Sequence, residues 1–600
     1  MKKTCFFLLA FISLNLLAQT DSIVSYALDS VHLTQKIRMQ NAGKILYFPN
    51  SDTETLSSLI ENHSAVFIRE YGRGMLAGIS LRGTGTSHTQ VVWNGIPVNS
   101  ILNGQTDLNT LNAGMSNLQI LKGGNSTTYG SGAIGGVILL ENPIDFKKKR
   151  ELNNVVSLGS YTSLGNNFKF LWSNNKVFTQ VNWHIEQSEN DYPFVGFEVK
   201  NENGAFQNTG TEMVLGYKIN RKNRVYFKQN ITGLNRLLAR SLYMPSQSKL
   251  LQKNHRNLLG WQYDKGNFRA QTDLAYLFES YDYYFNKNTN DFSRSIGNVY
   301  MAKNRLKWQF SPQKSLLLGN EFTYQECAGE NIPAHHRKLF ATYVVWRQQI
   351  KKLNYQLALR QAFNRDWQVP LTGSLDVNYQ LNKHHSLQAK ASRNFRLPTF
   401  NDLYWNPGGN PDLEPEKSIN LDAGYSYKTN EFSLHVTGFY IHSTDLIKWT
   451  PETAQIWTPK NFEEVNFSGV EVKLHRHFIL NTFTLINDLE YTYQKPVNQL
   501  TNKLLPYTPN HIWINNLRLY YKHWTLVHSY RYQGKMFTTT SNTNFLPAYQ
   551  IHHLSLLFRM NKNWQLQGNI NNIFNVYYES FPTHPQPGRN YQFIINYKIT

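Results

Sequence analysis

The sequence has 600 residues, 61 Lys and Arg against 40 Asp and Glu, a net charge of +21, and only two cysteines. No stretch after the first twenty residues offers the roughly 18 uninterrupted apolar residues of a membrane-crossing helix, and two cysteines cannot make a disulfide scaffold. The charge is scattered through a chain that opens on an export leader, which argues against nucleic acid as its target and leaves anionic lipid headgroups or an anionic ligand as partners.

The first segment reads MKKTCFFLLAFISLNLLAQT. Lys2 and Lys3 form a charged start, residues 6–18 an apolar run, and Ala18 a cleavage point before Gln19, although Leu16 is larger than the small residue usual three positions before a cut. The run is too short to span a bilayer, so residues 1–18 are expected to be a removable signal peptide. Cys5 precedes the apolar run, badly placed for a lipid anchor, and Cys327 is then the only cysteine of the mature chain. Residues 19–45 are expected to form a polar extension, residues 46–146 a compact glycine-rich domain, and residues 147–600 a second, much larger domain.

Two stretches dominate the glycine-rich domain: LRGTGTSHTQVVWNGIPVN over residues 81–99 and LQILKGGNSTTYGSGAIGGVILLEN over residues 118–142. Neither fits a phosphate loop, which needs Lys and Ser or Thr directly after the glycines, and neither follows the G-x-G-x-x-G spacing of a dinucleotide fold. Tight turns and close backbone approach are the reading that remains. The KKKR run over residues 147–150 is expected to be a solvated linker.

Beyond residue 150 one pattern repeats. Val181, Trp183 and Ile185 alternate with Asn182, His184 and Glu186; Ile419, Leu421, Ala423, Tyr425 and Tyr427 alternate with Asn420, Asp422, Ser426 and Lys428; Phe432, Leu434 and Val436 alternate with Ser433, His435 and Thr437; Tyr591, Phe593, Ile595, Tyr597 and Ile599 close the chain on one face. Successive strand side chains face opposite ways, and segments of about ten residues broken by turns are the mark of transmembrane strands. A packed sandwich would not accept Glu186, Asp422 and Lys428 on its inner face. About 450 residues at about 20 per strand and connection give roughly 22 strands, an even number as outer-membrane barrels have. A lumen that wide is plugged or open. The fold class is therefore an all-β transmembrane barrel with an N-terminal α+β plug domain in its lumen.

Enzymatic chemistry finds no support. The pairs His335–His336, His384–His385 and His552–His553 are adjacent, and neighbours on a strand cannot chelate one ion. Glu186, Glu189 and Asp191 cluster around a candidate outer loop where calcium could bind, but solvated acids explain them as well. No G-x-S-x-G elbow and no paired nucleophile and base stand out.

Four ordered motifs resemble the TonB-dependent outer-membrane receptors. Residues 81–99 look like that family's first plug signature, with Arg82, Gly83, Asn94 and Gly95 at its characteristic positions. Residues 118–142 look like the second, through Lys122, Gly123, Tyr129, Gly130, Gly135 and Gly136, with Gly124 in place of the usual proline and Gln119 in place of the usual acid. FRLPTFNDLYWNPGGNPDLEPEKS over residues 395–418 resembles the barrel signature, and INNIFNVYYESFPTHPQPGRNYQFIINYKI over residues 570–599 the closing strand pair. Such barrels usually end on an aromatic residue; this one ends Ile599-Thr600, so Tyr597 is expected to serve in that role.

The resemblance implies import without covalent chemistry or a cofactor, in the outer membrane of a Gram-negative bacterium. It implies coupling to the TonB–ExbB–ExbD complex of the inner membrane through a short extended segment, for which Asp29, Ser30, Val31, His32, Leu33 and Thr34 are the best match. Extended segments bind sheet edges largely through backbone bonds. About ten residues separate the expected cleavage point from Asp29, too few for the extra domain of signalling members. Within the family the plug is most similar to the cobalamin receptor group through Ser80 to His88. That likeness turns two loops outward as ligand contacts: Tyr71, Gly72, Arg73, Gly74 and Met75, and Asn99, Ser100, Ile101, Leu102 and Asn103. The cargo expected is cobalamin or a related corrinoid. A ferric siderophore, favoured by Arg69, Arg73 and a basic lumen, is the alternative, as is an adhesion or binding receptor that does not transport. A surface lipoprotein partner is left open.

Overall fold

The computed structural model describes residues 45–46, 55–111, 117–453 and 456–600. The segment with Asp29 to Thr34 lies outside them. Among the described residues, the N-terminal part has seven short strands: β1 (Ile45–Leu46), β2 (Phe67–Glu70), β3 (Ala77–Ser80), β4 (Thr89–Trp93), β5 (Ile96–Pro97), β6 (Asn117–Lys122) and β7 (Gly136–Glu141). Five form a sheet in the order β1-β6-β7-β4-β5, and β2 pairs with β3 in a separate hairpin. β4 and β7 run parallel and the other pairs antiparallel. Its central strand β7 is almost wholly apolar because both faces are covered.

Helix α1 (Leu56–His63) precedes the hairpin. Thr55 caps it by accepting from the Ser58 amide, and Leu56, Leu59 and Ile60 recur at helical spacing on its buried side. A second, four-residue helix, α2 (Ser126–Tyr129), lies within the second glycine-rich stretch. Trp93, Ile138, Leu140, Leu108 and Leu81 centre a core that continues without a break onto Leu258, Ala275, Val299 and Met301 of the surrounding wall. The plug is thus packed against the barrel and shares its core.

The wall is a closed barrel of 22 strands. It begins with β8 (Lys149–Gly159), β9 (Ser163–Ser173) and β10 (Val177–Ser188) and ends with the strand Asn590–Ile599. Every strand pairs antiparallel with its neighbour, and the seam joins the last strand to β8, with Gln592 opposite Gly159 and Ile599 opposite Leu152. The alternation read from the sequence is what faces the two solvents: Trp183 is 41% exposed on the outside, and its neighbour Asn182 is 1% exposed in the lumen. The KKKR run is not all linker, because Lys149 and Arg150 open β8.

One end of the barrel carries only tight turns, such as residues 266–267, 351–352 and 481–482. The other carries long loops, notably residues 189–205, 397–415 with helix α3 (Phe400–Tyr404), 534–548 and 572–589. Short turns on the periplasmic side and long loops outside are usual for such barrels. Above the turns, paired rings circle the wall: Phe268 with Trp308, Phe483 with Tyr521, Trp524 with Phe558, and Trp564 with Tyr597. A second set, Tyr276 with Tyr300 and Phe340 with Phe363, lies nearer the loops. These are the two aromatic girdles of a membrane barrel, and the lower one includes Tyr597.

Candidate functional site

Arg82 sits in the left-handed region at φ 56 and points from the plug into the wall. Its guanidinium donates to Asp422 through Nη1, and to Glu471 through Nε at 3.3 Å and Nη2 at 3.0 Å. Lys122 reaches the same Glu471 at 3.1 Å, and the Phe439 ring lies 4.6 Å from the Arg82 guanidinium carbon. Burial alone would lower the Arg82 pKa, but the two carboxylates hold it above its ordinary value. Two cations and two carboxylates close on one another with nothing left over. Gly123, at φ +83, lets this happen, since a Cβ there would stand 2.8 Å from both Arg82 Nη1 and Asp422 Oδ2. Gly123→Ala is expected to weaken the plug's attachment by about 1–3 kcal/mol, read as a lower temperature at which the plug becomes accessible to protease.

A second plug-to-wall contact joins His88 to Glu416 at 2.6 Å. The Gly85 amide donates to His88 Nδ1, so Nε2 carries the proton shared with Glu416. Arg396 grips the same carboxylate with Nε and Nη2, both at 2.7 Å, and reaches Asp402 of α3 at 3.5 Å. On other sides of the plug, Asp107 pairs with Arg236 at 2.6 Å. Glu490 accepts from the Ala65 amide, and Arg531 donates to the carbonyls of Glu61 and Val66.

The first apical loop meets the outer loops directly. The Tyr71 ring lies 4.3 Å from that of Phe581, Asn190 donates to the Arg73 carbonyl, and Ser580 donates to the Glu70 carbonyl at 2.6 Å. Arg73 donates to Ser163 and lies 3.9 Å from Glu186. Gly72 and Met75 are buried, and Tyr71, Arg73 and Gly74 are partly exposed. Beneath the loop, burial and the nearby Glu61 push Glu70 up to about 8, which keeps its carboxyl largely protonated at neutral pH.

The second apical loop lies under α3. Ile101 and Leu102 offer their carbonyls to the amides of Phe400 and Asn401. Ser100 Oγ and the Ile101 amide donate to Glu279 at 2.9 and 3.1 Å. Asn99 is committed within the plug, accepting from Val91 and Gln90 and donating to the carbonyls of Thr89 and Gly104. Asn103 is exposed.

Each loop borders a cavity between plug and wall. The larger, about 400 Å³, reaches from Arg73 and Gly74 past Glu61 and His553 down to His523 and Arg559 at the periplasmic turns. The smaller, about 140 Å³, lies beside Asn99, Ser100 and Ile101. Among the described residues no group of three His, Cys, Asp or Glu could hold a metal ion. Glu186, Glu189 and Asp191 do not converge: Glu186 turns toward Arg73, Asp191 pairs with Lys200, and Glu189 is exposed. The adjacent histidines diverge likewise, with His552 facing His528 across strands and His553 facing Asn571 in the lumen.

The remaining signature residues are structural. Asn94, at φ 51, and Gly95 make the turn between β4 and β5, and Asn94 also exchanges bonds with Asn142. Gly83 and Gly130 turn the chain at positive φ. Gly135 and Gly136 press on Leu81 and Thr84, where side chains would not fit. Tyr129 ends α2 against the smaller cavity. The roles of the wall partners Glu471, Glu416 and Arg396 escaped the reading of the sequence, although Arg396 and Glu416 lie inside the stretch 395–418 that resembles the barrel signature, and the signal of Glu471, charge at an inward strand position, was visible at Asp422.

A 22-stranded barrel, stoppered by an N-terminal plug that buried ion pairs bolt to its wall, defines a gated receptor of the outer membrane. The family models agree. The β-barrel of TonB-dependent receptors matches residues 106–573 and the TonB-dependent receptor plug domain residues 48–137. The chain belongs to the TonB-dependent receptors of the Gram-negative outer membrane. It is 23% identical to the vitamin B12 transporter BtuB of Photobacterium profundum, over 91% of this chain and 90% of that one. Among solved structures it is similar to the copper transporter OprC, with a TM-score of 0.79 at 14% identity over 93% and 99% of the two chains. The siderophore receptor PirA from Acinetobacter baumannii gives 0.78 at 14% over 93% and 98%. At such identities the structural likeness shows the fold alone.

Proposed function

We propose that this receptor imports cobalamin or a related corrinoid by energy-coupled remodelling of its plug. The observation that carries the cargo is the sequence likeness to a vitamin B12 transporter along nine-tenths of both chains. The apical loops support it, since the partly exposed Tyr71 and Arg73 and the exposed Asn103 offer a mixed aromatic and polar surface that suits a large ligand with apolar and amide edges. Ligand docks among the outer loops and the plug apex. Docking biases the plug so that the segment with Asp29 to Thr34 is offered to the TonB–ExbB–ExbD complex, which pulls it and opens a way past the wall. No covalent step is done on the cargo.

A ferric siderophore is the second reading. Its specific support is cationic: Arg73 at the apex and an excess of buried guanidinium groups near the second loop would suit an anionic chelate. Calorimetric titration of the detergent-purified receptor separates the two. Cyanocobalamin is expected to bind tightly, and Tyr71→Ala with Arg73→Ala to weaken it at least tenfold. A siderophore signal with no cobalamin signal would move the cargo to iron and leave the energy coupling as it stands.

A further inference from the structure

The smaller cavity holds more buried positive charge than the wall neutralises. It is lined by Arg360, Arg337, Glu321, Thr323, Gln325 and Tyr129, with the chain at Pro398 and Thr399 above it. Glu321 is the one carboxylate among these. It takes Arg360 Nη2 at 3.1 Å and is approached by Lys303 at 3.4 Å, so it already serves two cations. Arg337 binds only neutral acceptors, Gln325 Oε1 at 3.0 and 2.8 Å and the Pro398 carbonyl at 2.8 Å. The other acids that Arg337 faces are Asp402, already engaged by Arg396, and Asp366, which is exposed in loop 365–371.

Arg360 itself is 4% exposed along its side chain, and its Nε and Nη1 have no hydrogen-bond partner. Buried guanidinium N–H groups without acceptors are costly. Arg396, also on the lining, is matched by Glu416, but Arg337 and Arg360 together with Lys303 set three cations against Glu321 and leave about two charges unmatched.

We propose that this cavity is a binding site for a small oxyanion, a phosphate or carboxylate group held by Arg360. Planar guanidinium groups favour such anions, through paired charge-assisted bonds. Thr323 and Tyr129 add hydroxyl donors at the lining, and Tyr129 keeps its proton because burial, with Glu141 nearby, pushes its pKa up to about 12. The volume, about 140 Å³, exceeds the roughly 10–15 Å³ that one water needs several-fold and is far too small for a whole corrinoid. The anion is therefore either free or one group of a larger cargo, and the site stands whichever cargo is imported.

The test is titration of inorganic phosphate into the detergent-purified, full-length receptor, followed by phosphorus NMR and calorimetry, with acetate as a second probe. Saturable binding is expected, weakened at least tenfold in Arg360→Gln and unchanged in Arg559→Gln, which alters the other cavity. Thr323→Val removes a hydroxyl without touching a charge and is expected to weaken binding several-fold, so the test survives if Arg360→Gln does not fold. Phosphate displaced when cargo binds would assign the anion to the cargo; phosphate retained beside cargo would make it a free ion. Absence of saturable binding by both probes, or wild-type affinity in Arg360→Gln and Thr323→Val, overturns the site.

Discussion

Arg82→Met will loosen the plug inside an intact barrel. The substitution keeps length and apolar contact with Phe439 but removes the one guanidinium between Asp422 and Glu471. Lys122 remains beside Glu471, and Asp422 loses its buried plug partner. Breaking a buried pair from one side costs about 3–5 kcal/mol, because a desolvated charge is left behind. The barrel's own ladders do not involve Arg82, so the wall should melt as before while the plug becomes protease-sensitive at a lower temperature. Cells carrying the variant should admit large antibiotics that the intact receptor excludes. Neutralising the stranded carboxylate as well, in Arg82→Met with Asp422→Asn, should recover most of the loss, since Glu471 keeps Lys122 and no carboxylate is then left without its cation. Equal plug stability in wild type and Arg82→Met would show that the cluster does not hold the plug.

Deletion of Asp29 to Thr34 will abolish uptake and spare binding. These residues precede every plug element in sequence, so the deletion removes no residue of either apical loop or either cavity. Accumulation of labelled cargo in whole cells should drop to the level of a receptor-free strain. Affinity of the purified variant should stay within about twofold of wild type. Uptake that survives the deletion would mean that the coupling segment lies elsewhere or that transport is not pulled.

The barrel was legible because its information is local. A run such as Val181 to Glu186 states its own period, and a two-residue period over hundreds of residues with charge on one face admits few folds. The plug signatures were legible as glycines that only tight approach explains, and Gly123 beside Arg82 bears that out. The bolts were not legible. Arg82 lies 340 residues from Asp422 and 389 from Glu471 in sequence, and no pattern along one strand says which inward carboxylate stands opposite a given plug residue. The roof was equally hidden, since nothing near Tyr71 announces that Phe581 will close over it. Asn99 shows the opposite error of emphasis. An apical amide resembles a ligand donor, but its bonding capacity is spent on the backbone around it.

The seam bears on how the molecule is assembled. β8 and the strand Asn590–Ile599 are the two ends of the barrel chain and also neighbours in space. Every other pair in the wall joins consecutive barrel strands and closes only the turn or loop between them; this one closes the whole barrel, the largest chain-entropy cost in the wall. It is therefore the contact expected to form last. Until it does, the wall is an open sheet with two unpaired edges, and the plug can settle against Glu416, Glu471, Glu490 and Arg531 from the side instead of entering through an end. A chain truncated before Asn590 would keep those edges, and with them the tendency to pair with other copies of itself.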